Sequence, residues 1–317
     1  MKSLIICCAA LLVTGVGAGR AAADGLPVLG VDVGGTGVVA RSGNARYVTV
    51  PANGNTVVAR VTPHNGRVLA SRLVRGRFTI PAVAYDGSAA GLSADGRTLV
   101  LIQPRTSFPR AQTPLIVIDA KRLRTLHLVR LHGDFSFDAI SPRGSLMYLI
   151  EYISPTDPTR YRVRAYDLAA NRLLAQPVVD PREPGEKMGG LPLTRATSPD
   201  GRWAYTLYDG AGKTPFVHAL DTSARSARCI DLDALTRTNL TRMHLNLDAA
   251  GHTLTVKSGQ RPLAAIDTRT FRPGQPSEPT AFPWKPAAGA VAVALTAAAA
   301  LLLLLVRRRR QQPALAH

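Results

Sequence analysis

The chain has little cysteine: three in 317 residues, at positions 7, 8 and 229. Cys7 and Cys8 sit in an N-terminal apolar stretch that reads as a cleaved leader. Cys229 is then alone, so the mature body cannot close an internal disulfide and must be held by its core. Cys229 lies in an apolar–polar alternation (Ala227 to Asp231) and is expected to be a small buried apolar residue rather than a reactive thiol. Aromatic residues make up only 5% of the chain, and the arginines are scattered singly without aromatic interleaving. That excludes a nucleic-acid stripe. Six of the seven histidines (His64, His127, His132, His218, His244 and His252) are dispersed, without the spacing of ligand pairs on one element. No EF-hand-type loop or Gly-x-Ser-x-Gly elbow occurs. No metal, cofactor or catalytic residue is expected, and the composition leans away from an enzyme.

Both ends carry addresses. Lys2, an apolar Leu4 to Val16 and the small residues Ala21 to Ala23 form a secretory signal over residues 1–23. Ala287 to Val306 runs 20 residues without a charge, enough for ~30 Å of helix, the thickness of a bilayer core. Arg307 to Arg310 follow directly, so a span over 287–306 would leave residues 307–317 as a basic cytoplasmic tail and the body outside. No Leu-Pro-x-Thr-Gly sorting motif precedes the span, and no cysteine stands at the cleavage site for lipidation. The Pro-rich 273–286 reads as a stiff stalk. Without Lys2, Arg20 and Arg307 to Arg310, the 39 Lys+Arg fall to 33 against 21 Asp+Glu, a body of +12. The expected partners are the membrane and an envelope protein or anionic polymer, with no nucleic acid.

What the chain has in quantity is a repeat. A Ser-x-Asp-Gly-Arg-like turn leads into a short apolar run and then a second run ending in Asp. Ser93 to Arg97 leads to Leu115–Asp119, and Ser198 to Arg202 leads to Val217–Asp221. Further units start at Ser42, Ser141 and Asp248. The closing aspartates Asp119, Asp167, Asp221 and Asp267 are 48, 54 and 46 residues apart, a β-propeller period. Asp-Gly suits a tight turn, and the closing Asp suits a turn in which its carboxylate takes backbone amides. Outer strands are read at Arg67–Leu73, Leu123–Leu131 and from Arg172. Innermost strands precede the turn serine, as in Phe135–Ile140 and Leu193–Thr197.

On Ser198 to Tyr205, Val163 to Asp167 and Val217 to Asp221, the chain resembles the YVTN-type and tryptophan–aspartate-type propeller repeats, and more loosely the TolB-like ones. The resemblance covers about residues 40 to 272 and implies an all-β propeller of roughly five to seven four-stranded blades over residues 24–272, with one C-terminal transmembrane helix. It says little of function, since such scaffolds host binding modules, assembly factors and some enzymes. Val28 to Val33 is a candidate closing strand for the ring. Leu29 to Gly37 looks like the first phosphate loop of sugar kinases of the hexokinase–actin superfamily, but neither a second phosphate motif nor an alternating helix–strand domain follows it.

Candidate site residues come from the register of the repeat. Three positions before the turn residue stand Ala90, Asp138, Arg195 and Leu245. Asp138 and Arg195 are therefore expected on the innermost strands of successive blades, as a channel-mouth site or as an ion pair fixing blade packing. A charged insertion between the third and fourth blades, with Asp180, Arg182, Glu183, Glu186 and Lys187, is the second candidate. The first functional reading is a membrane-anchored extracytoplasmic binding module. The alternative is a propeller hydrolase or lactonase-like enzyme.

Overall fold

Turn chemistry sets the architecture. The computed structural model describes residues 37–276, except 186 and 187. In two of the turns the Ser hydroxyl works in both directions. The Ser93 and Ser198 Oγ atoms donate to Asp95 and Asp200. They accept the amides of Thr98 and Trp203. Ser141 Oγ accepts the amide of Leu146. In the fifth unit the Asp248 carboxylate replaces the hydroxyl and takes the amides of His252 and Thr253. The turn glycine carries a positive φ, +78° at Gly201, which only glycine adopts without strain.

The closing aspartates behave as a set. Asp119, Asp167, Asp221 and Asp267 each take the amides of the second and third residues beyond them. The fourth residue beyond (Leu123, Asn171, Arg225 and Phe271) is left-handed each time, with φ of 52° to 56°. This is a four-residue hairpin loop whose last residue is left-handed.

Five sheets follow in chain order. The first has β1 (Val38–Val39), β2 (Arg46–Ala52), β3 (Asn55–Val61) and β4 (Val68–Val74). The second has three regular strands, β5 (Thr98–Ile102), β6 (Gln112–Asp119) and β7 (Arg124–His132). The third has β8 (Phe135–Ile140), β9 (Leu146–Tyr152), β10 (Tyr161–Asp167) and β11 (Arg172–Val178). The fourth has β12 (Pro192–Thr197), β13 (Trp203–Tyr208), β14 (Phe216–Asp221) and β15 (Ser226–Asp231). The fifth has β16 (Met243–Leu247), β17 (Thr253–Ser258), β18 (Arg261–Asp267) and β19 (Arg272–Gly274). Every pairing is antiparallel between sequence neighbours. The chain is an all-β propeller of five blades within the described residues.

Strand alternation builds the core. Leu99 and Leu101 pack toward blade 1, and Val100 and Ile102 toward blade 3. Met147 and Leu149 face blade 2, whereas Tyr148 and Ile150 face blade 4. Period-two side chains buried on both faces are why these strands read as continuous apolar runs. Four apolar clusters result, between blades 1 and 2, 2 and 3, 3 and 4, and 4 and 5. Among the described residues none joins blade 5 to blade 1.

Three expectations are corrected. The innermost strand of blade 2 is broken. Only isolated bridges form (Thr79 with Ile102, Ala82 with Ala89, Leu92 with Leu99), because Pro81, Gly87 and Gly91 interrupt the ladder. The segment between them crosses to blade 4, where the Tyr85 and Asp86 amides donate to the Pro192 and Leu193 carbonyls. Pro273 and Gly274, read as the start of a stalk, pair with Ile266 and Ala265 in blade 5. Cys229 is half-buried rather than buried. The signal segment, Val28 to Val33, the span over 287–306 and the basic tail lie outside the described residues. Within the described residues, no helix is long and apolar enough to cross a membrane.

Candidate functional site

The channel comes first. Asp138 sits on β8 at a bulge, between the pairs Phe137–Leu149 and Ala139–Tyr148, which turns its side chain out of the ladder. Arg195 is on β12 of the next blade, opposite Thr206. The Arg195 Nη2 atom donates to Asp138 Oδ1, and Nη1 donates to the Asp138 carbonyl at 3.0 Å. Both side chains are more than nine-tenths buried. The register argument therefore brings together two residues that do touch, as an ion pair. The remaining register positions, Ala90 and Leu245, carry no charge.

The pair stands between two hollows. On the side of the Ser-x-Asp-Gly turns, a hollow of about 240 Å³ is bordered by Arg41, Gly91, Asp138, Arg195 and Thr222. Arg41 donates to the Pro199 carbonyl at 2.7 Å. Burial lowers its pKa, and the neighbouring Asp200 carboxylate opposes that shift. On the other side, a gap of about 20 Å³ lies among Asp138, Tyr152, Tyr161 and Tyr208, the scale of a single water. Burial first, then the Asp138 charge, pushes the Tyr208 hydroxyl far above its usual range. Behind Arg195 the row continues across blade 4 through Thr206 to His218. His218 is 2% exposed, and its Nε2 has no hydrogen-bond partner. Burial, with Arg195 adding to it against Asp138 and Asp180, brings its pKa down to about 4.

The inter-blade insertion is organised around Asp180, which turns inward rather than to solvent. Its carboxylate takes Arg182 Nη2 at 2.5 Å, Arg228 Nη1 at 3.2 Å and the Cys229 amide at 3.0 Å. Burial alone would raise its pKa, but these donors and the Arg182 charge hold it well below the usual carboxylate range. Arg182 and Glu183 are exposed. Glu186 and Lys187 lie outside the described residues.

A second buried cluster had no signal in the repeat. Arg105 Nε donates to Asp134 Oδ1 at 3.0 Å, and the Arg105 guanidinium lies 4.7 Å from the Tyr152 ring centre. The Arg110 amide donates to the same carboxylate at 3.0 Å. Burial, then the adjacent Arg105 charge, lowers Arg110 to about 10. This cluster ties the β5–β6 loop to blade 3. Only the spacing Arg105, Arg110 and Asp134 hinted at it, and nothing in that spacing announces contact.

A hollow of about 400 Å³ opens on the loop face. Leu191, Leu193, Pro215 and Leu240 supply apolar wall, and Tyr85 stands at its edge with 55% exposure. Lys213, Thr236, Thr238 and Thr241 add polar groups. Asp209 also borders it, but its carboxylate is occupied by the amides of Leu191 and Ala211. The hollow exists because the irregular blade 2 segment delivers Tyr85 to blade 4. Sequence reading missed it, and the Pro/Gly-rich break after Phe78 was the available signal.

No family model matches the chain, and no curated protein does either. Among solved structures, the chain is similar to a functionally unknown protein from Desulfotomaculum acetoxidans at 12% identity, with 78% of this chain and 71% of that one covered and a TM-score of 0.45. It is similar to the Cps50 (Swd1) β-propeller domain of Myceliophteria thermophila at 11% identity, 76% and 69% coverage and a TM-score of 0.42. TolB from Acinetobacter baumannii matches at 12% identity, 76% and 53% coverage and a TM-score of 0.40. At such identities the likeness ends at the fold.

Proposed function

We propose that this protein is a membrane-anchored extracytoplasmic propeller that binds a protein or polymer of the cell envelope through its loop face. The carrying observation is where its polar groups are spent. The channel carboxylate Asp138 is committed to Arg195, and Asp180 to Arg182, Arg228 and Cys229. By contrast, the hollow beside Tyr85 is open and largely apolar, and Lys213 at its wall makes no ion pair among the described residues. Such a surface suits an apolar side chain of a partner segment, with Lys213 meeting a carboxylate. The signal segment and charge-free run in the sequence support an outside location.

The test is capture with the full chain in its membrane, comparing the native protein with Tyr85→Ala and Lys213→Glu by quantitative mass spectrometry. The reading expects a partner whose recovery falls in both variants. Equal recovery from all three, or a clean metal-dependent turnover of lactones, would overturn it. Protease added to intact cells should digest the propeller if it lies outside.

A further inference from the structure

Blade 1 is unlike the other four in its surface. Residues 37–85 contain seven arginines and no Asp or Glu. Arg67, Arg72, Arg75 and Arg77 are exposed, and none of the seven forms an ion pair among the described residues. Among the described residues, the same blade holds five of the nine exposed large apolar side chains: Val39, Val50, Val68, Leu69 and Leu73.

Strand register places several of these on one face. Tyr47, Val58 and Val74 pack toward blade 2. The opposite face carries the row Val50–Val57–Leu73, and beyond it Arg46–Val61–Val68. In a closed ring this face should be covered by blade 5. However, Val50 is 51% exposed, Leu73 58% and Val68 60%. Blade 5 turns Leu254 and Val256 toward blade 4, which leaves Thr253, Thr255 and Lys257 on its other side. A polar flank cannot bury an apolar row, so the outer part of blade 1 stays open.

We infer that the exposed outer strand of blade 1, β4, with Val68 and Leu73 on its open face and Arg72 on the other, docks edge-on onto an anionic phospholipid surface. Guanidinium groups pair with phosphate oxygens, and short apolar side chains between them enter the interfacial layer. A second copy fits poorly, because a two-fold contact would set two acid-free, arginine-bearing outer strands against each other. Nucleic acid fits poorly too. Tyr47 and Phe78 are buried, so the blade offers no stacking platform.

The test uses the full chain with Cys7, Cys8 and Cys229 replaced by serine and a single environment-sensitive probe on Leu73→Cys. The control probe is on Ala175→Cys, the exposed outer strand of blade 3. Vesicles are phosphatidylcholine alone or with phosphatidylglycerol, carrying a spin-labelled lipid quencher. Docking predicts quenching at position 73 but not 175, only with phosphatidylglycerol, and reversal in high salt. Arg72→Gln should lower the docked-to-free ratio roughly fivefold, one surface cation's worth. Equal quenching at both positions, none at 73, or lipid-independent cross-linking of 73 to 73 would overturn the inference. Protection of position 73 by an acidic protein in place of phosphatidylglycerol would overturn it as well. Flotation with vesicles in high salt reports the span separately, so failure of docking and failure of anchoring give different results.

Discussion

Asp138 and Arg195, 57 positions apart, meet as a buried ion pair across the seam between blades 3 and 4. Each occupies the same place in its own repeat, three residues before the turn serine. A bulge on one strand and a regular ladder on the other aim the two side chains at each other. Breaking a buried pair leaves an uncompensated charge. Arg195→Met or Asp138→Leu alone should therefore cost about 3–5 kcal/mol, and the double variant should recover much of that. Urea unfolding of the four-member cycle measures it. Additive losses would show that the two residues do not act as a pair.

His218 makes a prediction in pH. An unfolded histidine titrates near 6.5 and the folded one near 4, because burial outweighs the carboxylates Asp138 and Asp180 and adds to the Arg195 charge. Between those values the unfolded chain holds the extra proton, so stability is whole above 6.5 and falls as pH drops toward 4. The loss is about 3 kcal/mol. The depressed carboxylates of Glu151, Asp180 and Asp221 act lower, beneath their usual range. His218→Phe should flatten the 6.5-to-4 limb in thermal melts and leave the lower one. An unchanged limb would reject the assignment.

The turn serines are structural by their hydrogen bonds. Ser198 is buried, donates to Asp200 and accepts the Trp203 amide. Ser198→Ala leaves that amide unpaired and should cost about 1–3 kcal/mol. Ser198→Asp copies the fifth blade, where Asp248 performs the same task, and should lose less. Denaturant midpoints compare them.

One position invites stabilisation. Arg225 is exposed and left-handed at φ 56°, where blade 3 has Asn171 at φ 52°. Asparagine tolerates that conformation better than arginine does. Arg225→Asn should add about 0.5 kcal/mol, visible as a raised Tm. A fall would mean that arginine makes contacts outweighing its backbone cost.

The repeat was legible because its chemistry is local. Phe135–Ile140 is a strand as read, and Leu123–Leu131 is displaced by one residue from β7. The break in blade 2 was not legible. Pro81 and Gly87 show that a strand is interrupted, but not that Tyr85 then reaches Pro192. Asp180 looked like a solvated loop charge, since three of its donors come from residues far along β15 or inside its own turn.

The amino-acid order alone determines the blade period, the turns and the strand faces, because each rests on hydrogen bonds within about five residues and on two-residue alternation. Tertiary structure decides the rest. Alternation says that Leu73 and Val50 share a face, but not whether the neighbouring blade covers it. Register says that Asp138 and Arg195 are equivalent, but contact needed the bulge and the seam. Both depend on which surface lies opposite, and that is settled only when neighbouring blades pack on one another.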